Sequence, residues 1–186
     1  MAKLIYSAIA SLDGYVADEH GKFDWAMPDE EVHAFVNDLE RPVGTHLYGR
    51  RMYEVLKVWE TDEILQGQPQ VMRDYADIWR AAEKIVYSRS LGEVETSRTR
   101  LESTFDPDAI RALKQTEDRE IAIGGAELAG QALEADLVDE IHLLLVPVAV
   151  GAGRPALRIQ SHKALKLLGH RSFANGTIYL HYGIDS

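Results

Sequence analysis

Eight residues past the middle of the chain, Ile121-Ala122-Ile123-Gly124-Gly125-Ala126-Glu127-Leu128, restrict the fold more than any others. An apolar strand pattern, Glu120–Ile123, stops at two glycines, and helix-forming residues begin at once and continue over Ala126–Ala135. Such a strand-to-helix junction is the unit from which α/β sheets are assembled. Glycine also lets a backbone approach a ligand closely, and the first amides of the new helix offer unpaired donors at a positive dipole end, a seat for a diphosphate. The segment alone fits a ligand-free tight turn equally well.

The same alternation runs through the chain. Residues 3–10 read as a buried strand, and residues 11–28, with Gly14, Gly21 and Pro28, as a long loop. Pro28-Asp29-Glu30-Glu31 opens a helix whose Val32, Phe35, Val36 and Leu39 form one apolar stripe. A strand at Thr45–Tyr48 leads into Gly49-Arg50-Arg51, where a second helix starts. Val71, Tyr75, Ile78 and Trp79 mark a helix within residues 70–83, followed by the strand Lys84–Tyr87 and a short one near Thr99–Leu101. Asp106-Pro107 pairs a capping side chain with proline at the first helical position. Glu140–Val148 is a strongly apolar strand, and Ala164–Phe173 and Thr177–Ile184 flank the turn dipeptide Asn175-Gly176. The pattern predicts one domain over residues 1–186: a mixed, mainly parallel central sheet flanked by helices and closed by a C-terminal antiparallel hairpin.

Charge and composition then narrow the function. A net charge of −10 speaks against a nucleic-acid binder, although a few local cations can still hold an anionic small molecule. No cysteine is present, which removes disulfides, thiolate metal sites and Cys nucleophiles and fits a reducing compartment. The N-terminal apolar run is broken by Ser7, Ser11 and Asp13, so no membrane span is expected and the cytoplasm is the expected location. The seven histidines show no ligand spacing, metal is not expected, and His142 reads as a satisfied structural side chain. Trp59 and Trp79 read as core or partner-facing aromatics.

Three further segments bear on a ligand. Gly49-Arg50-Arg51 sets two guanidiniums beside a helix start, where their planar forks suit phosphate, though a solvated surface pair has the same sequence. Tyr87-Ser88-Arg89-Ser90 places a hydroxyl and a cation after a strand, as a ribose 2′-phosphate or an ordinary polar loop would require. Gly151-Ala152-Gly153-Arg154-Pro155 lacks the third glycine of a Rossmann fingerprint and reads as a glycine-rich loop, possible lining for a site.

In this order, these segments resemble the dihydrofolate reductase superfamily, including the reductase domain of the bifunctional riboflavin-biosynthesis deaminase/reductase. The resemblance rests on Ser11-Leu12-Asp13-Gly14-Tyr15-Val16-Ala17, Gly49-Arg50-Arg51-Met52-Tyr53-Glu54, Tyr87-Ser88-Arg89-Ser90-Leu91, Ile123-Gly124-Gly125-Ala126-Glu127-Leu128, and Leu137-Val138-Asp139-Glu140-Ile141 with Pro147 and Gly151-Ala152-Gly153. It implies a dihydrofolate-reductase-like α/β fold, a sheet of about eight strands, and NADPH as cofactor. By resemblance, Gly124, Gly125, Ala126, Glu127 and Leu128 hold the diphosphate. Gly49, Arg50, Arg51, Ser88 and Arg89 surround the adenosine and its 2′-phosphate, and Ile9, Ala10, Val16 and Ala17 border the nicotinamide. Trp25-Ala26-Met27-Pro28 is similar to the Trp-x-x-Pro of dihydrofolate reductases and places Glu30, or its neighbours Asp29 and Glu31, where that family keeps its buried acid. The cysteine-bound zinc of the deaminase half has no counterpart here.

The expected activity is hydride transfer from NADPH to a C=N or C=O carbon of a small polar substrate, of the 5-amino-6-(5-phosphoribosylamino)uracil reductase type. A dihydrofolate or pterin reductase and a non-catalytic NADP-binding dimer are the alternatives. Asp13, Asp29 and Glu30 are the candidate catalytic acids. Such an acid would need burial to raise its pKa. The pocket is expected where the loop Ser11–Pro28 faces Gly151–Gly153. A homodimer is expected from the apolar surface of Trp59, Trp79 and Leu143–Val148.

Overall fold

The computed structural model describes residues 1–184. Ten strands and five α-helices alternate: β1 (Leu4–Ser11), β2 (Tyr15–Asp18), α1 (Glu30–Glu40), β3 (Val43–Gly49), α2 (Arg50–Leu56), α3 (Gln70–Ala81), β4 (Glu83–Tyr87), β5 (Thr99–Glu102), α4 (Pro107–Thr116), β6 (Glu120–Gly124), α5 (Ala126–Glu134), β7 (Glu140–Val146), β8 (Gly153–Pro155), β9 (Leu165–Ser172) and β10 (Ile178–Ile184). Eight strands form one sheet in the order β5-β4-β3-β6-β1-β7-β10-β9. The first six are parallel, and β10 and β9 add on antiparallel. This is the mixed, mainly parallel sheet with a terminal hairpin that the alternation predicts. No helix among the described residues is long and apolar enough to cross a membrane.

Side-chain alternation sorts the core onto the two faces of the sheet. Leu4, Tyr6, Leu47, Ile85, Ile121, Ile123 and Ile141 point to one face, where Ile110 of α4 and Leu128, Ala129, Ala132 and Leu133 of α5 cover them. On the other face, Val32, Phe35, Val36 and Leu39 of α1 pack on Ile9, Leu144, Phe173 and Tyr179. This is the apolar stripe read from the sequence. Beside it, Tyr53 and Trp79 pack on Tyr48 and Val86.

Three details depart from the sequence reading. The loop over residues 11–28 contains β2, which pairs with β8 in a small two-stranded sheet. β7 stops at Val146 rather than Val148, because Pro147 has no amide for the ladder and the chain turns with Val148 N–H on Val146 O (2.8 Å). Neither Trp59 nor Trp79 is fully exposed. Trp79 is 1% exposed, and Trp59 packs edge-on to Tyr75.

Trp79 also lies under a buried cation. The Lys84 ammonium sits 4.2 Å from the centre of its ring and donates to Trp79 O and Ala82 O, closing the end of α3. Trp79→Ala is therefore expected to cost about 3–5 kcal/mol, lowering Tm by roughly 10 °C in a thermal melt. A shift within 2 °C, an order-of-magnitude bound, would mean the site is not core.

Candidate functional site

The carboxyl ends of β3, β4, β5 and β6 open onto one cleft of about 830 Å³. Open parallel sheets collect ligands at this edge because helix N-termini and connecting loops converge there. Its lining comes from four successive connections. Gly49 ends β3 and Arg50, Arg51, Met52 and Glu54 follow it; Ser88, Arg89 and Ser90 follow β4; Ser103, Thr104 and Phe105 follow β5; Gly125, Ala126, Glu127 and Leu128 follow β6. Arg154 of β8 completes the wall.

The β6-to-α5 turn is shaped by its glycines. Gly125 has φ 95°, a left-handed conformation that other residues adopt only under strain. A Cβ on Gly124 would stand 3.0 Å from the Tyr48 ring, so this glycine is held by packing and is buried beneath the cleft rather than lining it. The first bond of the helix runs from Ala129 N–H to Gly125 O (2.9 Å). The amides of Ala126, Glu127 and Leu128 precede it, without intrahelical acceptors, at the positive end of α5.

The arginines divide by role. Arg50 donates from Nε to Glu54 (2.7 Å) and from a terminal nitrogen to Ser90 Oγ (2.9 Å), tying α2 to the loop after β4. The Ser88 hydroxyl accepts from the amides of Ser90 (3.2 Å) and Leu91 (3.0 Å) and shapes that loop from within. Arg51, Arg89 and Arg154 line the cleft with no ion-pair partner among the described residues. Against a chain of net charge −10, this wall is locally cationic.

The candidate acids lie apart from the cleft. Asp13 accepts the Ser11 hydroxyl (2.6 Å), the Gly151 amide (2.7 Å) and the Val150 amide (3.2 Å), pinning the loop after β1 to the loop after β7. The Ser11 hydroxyl first, then these amides, hold its carboxyl below the ordinary range, so it stays ionised. The facing loops named by the sequence therefore do meet, but they close on each other, and the open cleft lies beyond Arg154. Asp29 caps α1, accepting the Val32 amide (2.9 Å), and Glu30 is exposed in the first turn. Glu31 reaches Arg171 (3.2 Å) on the terminal hairpin. None of the three is buried. Ile9, Ala10, Val16 and Ala17 are also outside the cleft lining, although the Ala17–Arg154 register ties β2 to its wall.

Sequence reasoning missed Ser103, Thr104, Gln131 and the placement of Arg154. The hydroxyls following β5 were the available signal, since they repeat the strand-then-hydroxyl pattern of Tyr87-Ser88.

Comparison with known proteins places this geometry. The fold is that of dihydrofolate reductase: the chain matches the enzyme from Enterococcus faecalis complexed with NADP(H) at a TM-score of 0.63, with 13% identity over 99% of this chain and 97% of that one. More specifically, the chain belongs to the RibD C-terminal domain family, whose model matches residues 2–179. A candidate riboflavin-biosynthesis protein from Shewanella sp. PV-4 superposes at a TM-score of 0.77, with 23% identity and full coverage of both chains. The diaminohydroxyphosphoribosylaminopyrimidine deaminase/5-amino-6-(5-phosphoribosylamino)uracil reductase of Thermotoga maritima matches at 0.70, with 15% identity over 99% of this chain and 57% of that one.

The Asp13 contacts are testable directly. In Asp13→Asn, an amide cannot accept from every donor that the carboxylate serves. Hydrogen exchange at Val150 and Gly151 should accelerate while the sheet stays protected. In the wild type, the depressed carboxyl keeps these amides protected until the pH falls below the ordinary aspartate range. Unchanged exchange in the variant would remove Asp13 from the junction.

Proposed function

We propose that the chain is an NADPH-dependent reductase of the riboflavin-biosynthesis type, reducing a C=N or C=O group of a small polar substrate. The observation that carries this reading is the convergence, on one cleft, of the free amides at the start of α5 with Arg51, Arg89 and Arg154. The residues fit a dinucleotide phosphate. The left-handed Gly125 aims unpaired donors outward, while the three arginines supply positive charge to offset the 2′-phosphate that NADPH carries and NADH lacks. The E. faecalis enzyme holds NADP(H) in the same fold, and the family includes reductase-type domains, which supports the reading.

Within it, the amides of Ala126, Glu127 and Leu128 bind the diphosphate. Arg51, Arg89 and Arg154 bind the 2′-phosphate end, and Arg50 with Ser88 orders the loop that carries Arg89. Ile9, Ala10, Val16 and Ala17, at the end of β1 and in β2, border the nicotinamide, which when bound supplies the hydride. Asp13 remains ionised and orients rather than protonates, so the proton reaching the substrate comes from water. Its contacts hold the two loops together on that side. The substrate is a small molecule, and the setting is the cytoplasm.

Calorimetry tests the cofactor assignment. NADPH should bind roughly tenfold or more tightly than NADH, and the triple variant Arg51→Ala, Arg89→Ala and Arg154→Ala should erase the difference while leaving NADH affinity nearly unchanged. Equal affinities for the two nucleotides in the wild type would contradict the reading.

The same reading includes a two-fold symmetric homodimer. On the α5-side face, at the edge of the sheet beyond the α5 core, the register aligns Leu145 with Ile178 and Tyr182 with Leu167, and sets Leu165 opposite Ile184. Ile178, Leu165 and Leu167 are exposed there, a contiguous apolar patch of the kind that marks an interface. Light scattering at micromolar concentration should give twice the 20.8 kDa of one chain, and Leu167→Asp should give one chain's mass. A monomeric wild type would contradict the dimer.

A further inference from the structure

On the sheet face that carries α1, the strand period places Glu140 and His142 two residues apart on β7, pointing the same way. The antiparallel register sets His181 of β10 directly opposite His142. The His181 Nε2 lies 3.0 Å from Glu140 Oε2, and His142 Nε2 lies 3.6 Å from the same oxygen. The ligand atoms of all three residues fall within 4.8 Å of one another. From these contacts we propose that Glu140, His142 and His181 form a binding site for a divalent transition-metal ion of the zinc type, bridging β7 and β10.

His142 is the second, independent observation. Its side chain is 8% exposed, and among the described residues neither ring nitrogen has a hydrogen-bond partner. A neutral imidazole needs one donor and one acceptor partner, and a buried ring that has neither is among the costly exceptions in a folded protein. Its Nε2 faces the carboxylate oxygen and the second imidazole, where a cation would use the lone pair.

The surrounding groups prepare the carboxylate. The Lys3 ammonium occupies Oε1 at 2.6 Å, leaving Oε2 turned toward the two imidazoles. A partner on the outer oxygen is how metal-binding carboxylates are oriented.

Two imidazoles and a carboxylate form a donor set that zinc takes with a fourth position left to water. Tetrahedral bonds of about 2.0–2.1 Å require ligand atoms roughly 3.3 Å apart. The separations of the two Nε2 atoms from Glu140 Oε2, 3.0 and 3.6 Å, bracket that value. His181 is 25% exposed, which gives an ion its route in. The site stands near the amino end of β7, across the sheet from the nucleotide cleft at the carboxyl ends, and is independent of the proposed reductase activity.

Protein dialysed against a chelator and titrated with zinc chloride should bind one ion per chain with a Kd of about micromolar or tighter. His181→Ala and Glu140→Gln, whose folding is checked by circular dichroism, should weaken binding at least about tenfold. Cobalt(II) substituted for zinc should give visible ligand-field bands that His181→Ala removes. Absence of binding to the wild type, or binding and cobalt bands unchanged in His181→Ala, would overturn the site.

Discussion

The cleft depends on one backbone angle. Gly125 at φ 95° turns the chain out of β6 and straight into α5, so the first amides of the helix face the carboxyl edge of the sheet. β6 lies between β3 and β1, and this turn therefore sits where the connections after β3 and β4 also arrive. A residue with a side chain would meet local strain at Gly125 and the Tyr48 ring at Gly124. The two adjacent glycines thus answer two different requirements, one conformational and one steric. Tyr48 lies beneath that turn as part of the α2–α3 core, so the site and the core are fixed by the same contacts.

Much of this was legible in the sequence because it is local. The strand ends at Gly49, Tyr87 and Gly124 are each marked by a change from apolar alternation to glycine or hydroxyl residues, and the connections leaving those three ends all line the cleft. The features that escaped are non-local. The Asp13 contacts with Val150 and Gly151 span 137 and 138 positions and depend on where β7 stops. Asp29 and Glu30 stand where the family resemblance places an acid, yet the N-terminus of α1 uses the first as its cap and leaves the second to solvent. His142 and His181 are 39 residues apart and become neighbours only through the register of the terminal hairpin, so no spacing rule in the chain could have paired them.

The distribution of charge shows the same division. The surface is acidic overall, but the cationic wall forms because the connections after β3 and β4 and the strand β8 each contribute one arginine without an ion-pair partner among the described residues. Arg50 differs from its neighbour Arg51 although the two are adjacent in sequence. Its contacts with Glu54 and Ser90 commit its donors to architecture, and Arg51 is left facing the cleft. The opposite end of the sheet carries the histidine and glutamate cluster instead. The two chemistries are kept apart by the length of the parallel strands.

The central claim is that the amides after Gly125 are the nucleotide's phosphate seat. Backbone amide resonances followed during titration with NADPH test it most directly. The account predicts large shifts at Ala126, Glu127 and Leu128, accompanied by shifts at Ser88 to Ser90. Saturating NADPH that leaves the amides of Ala126, Glu127 and Leu128 unmoved would contradict it.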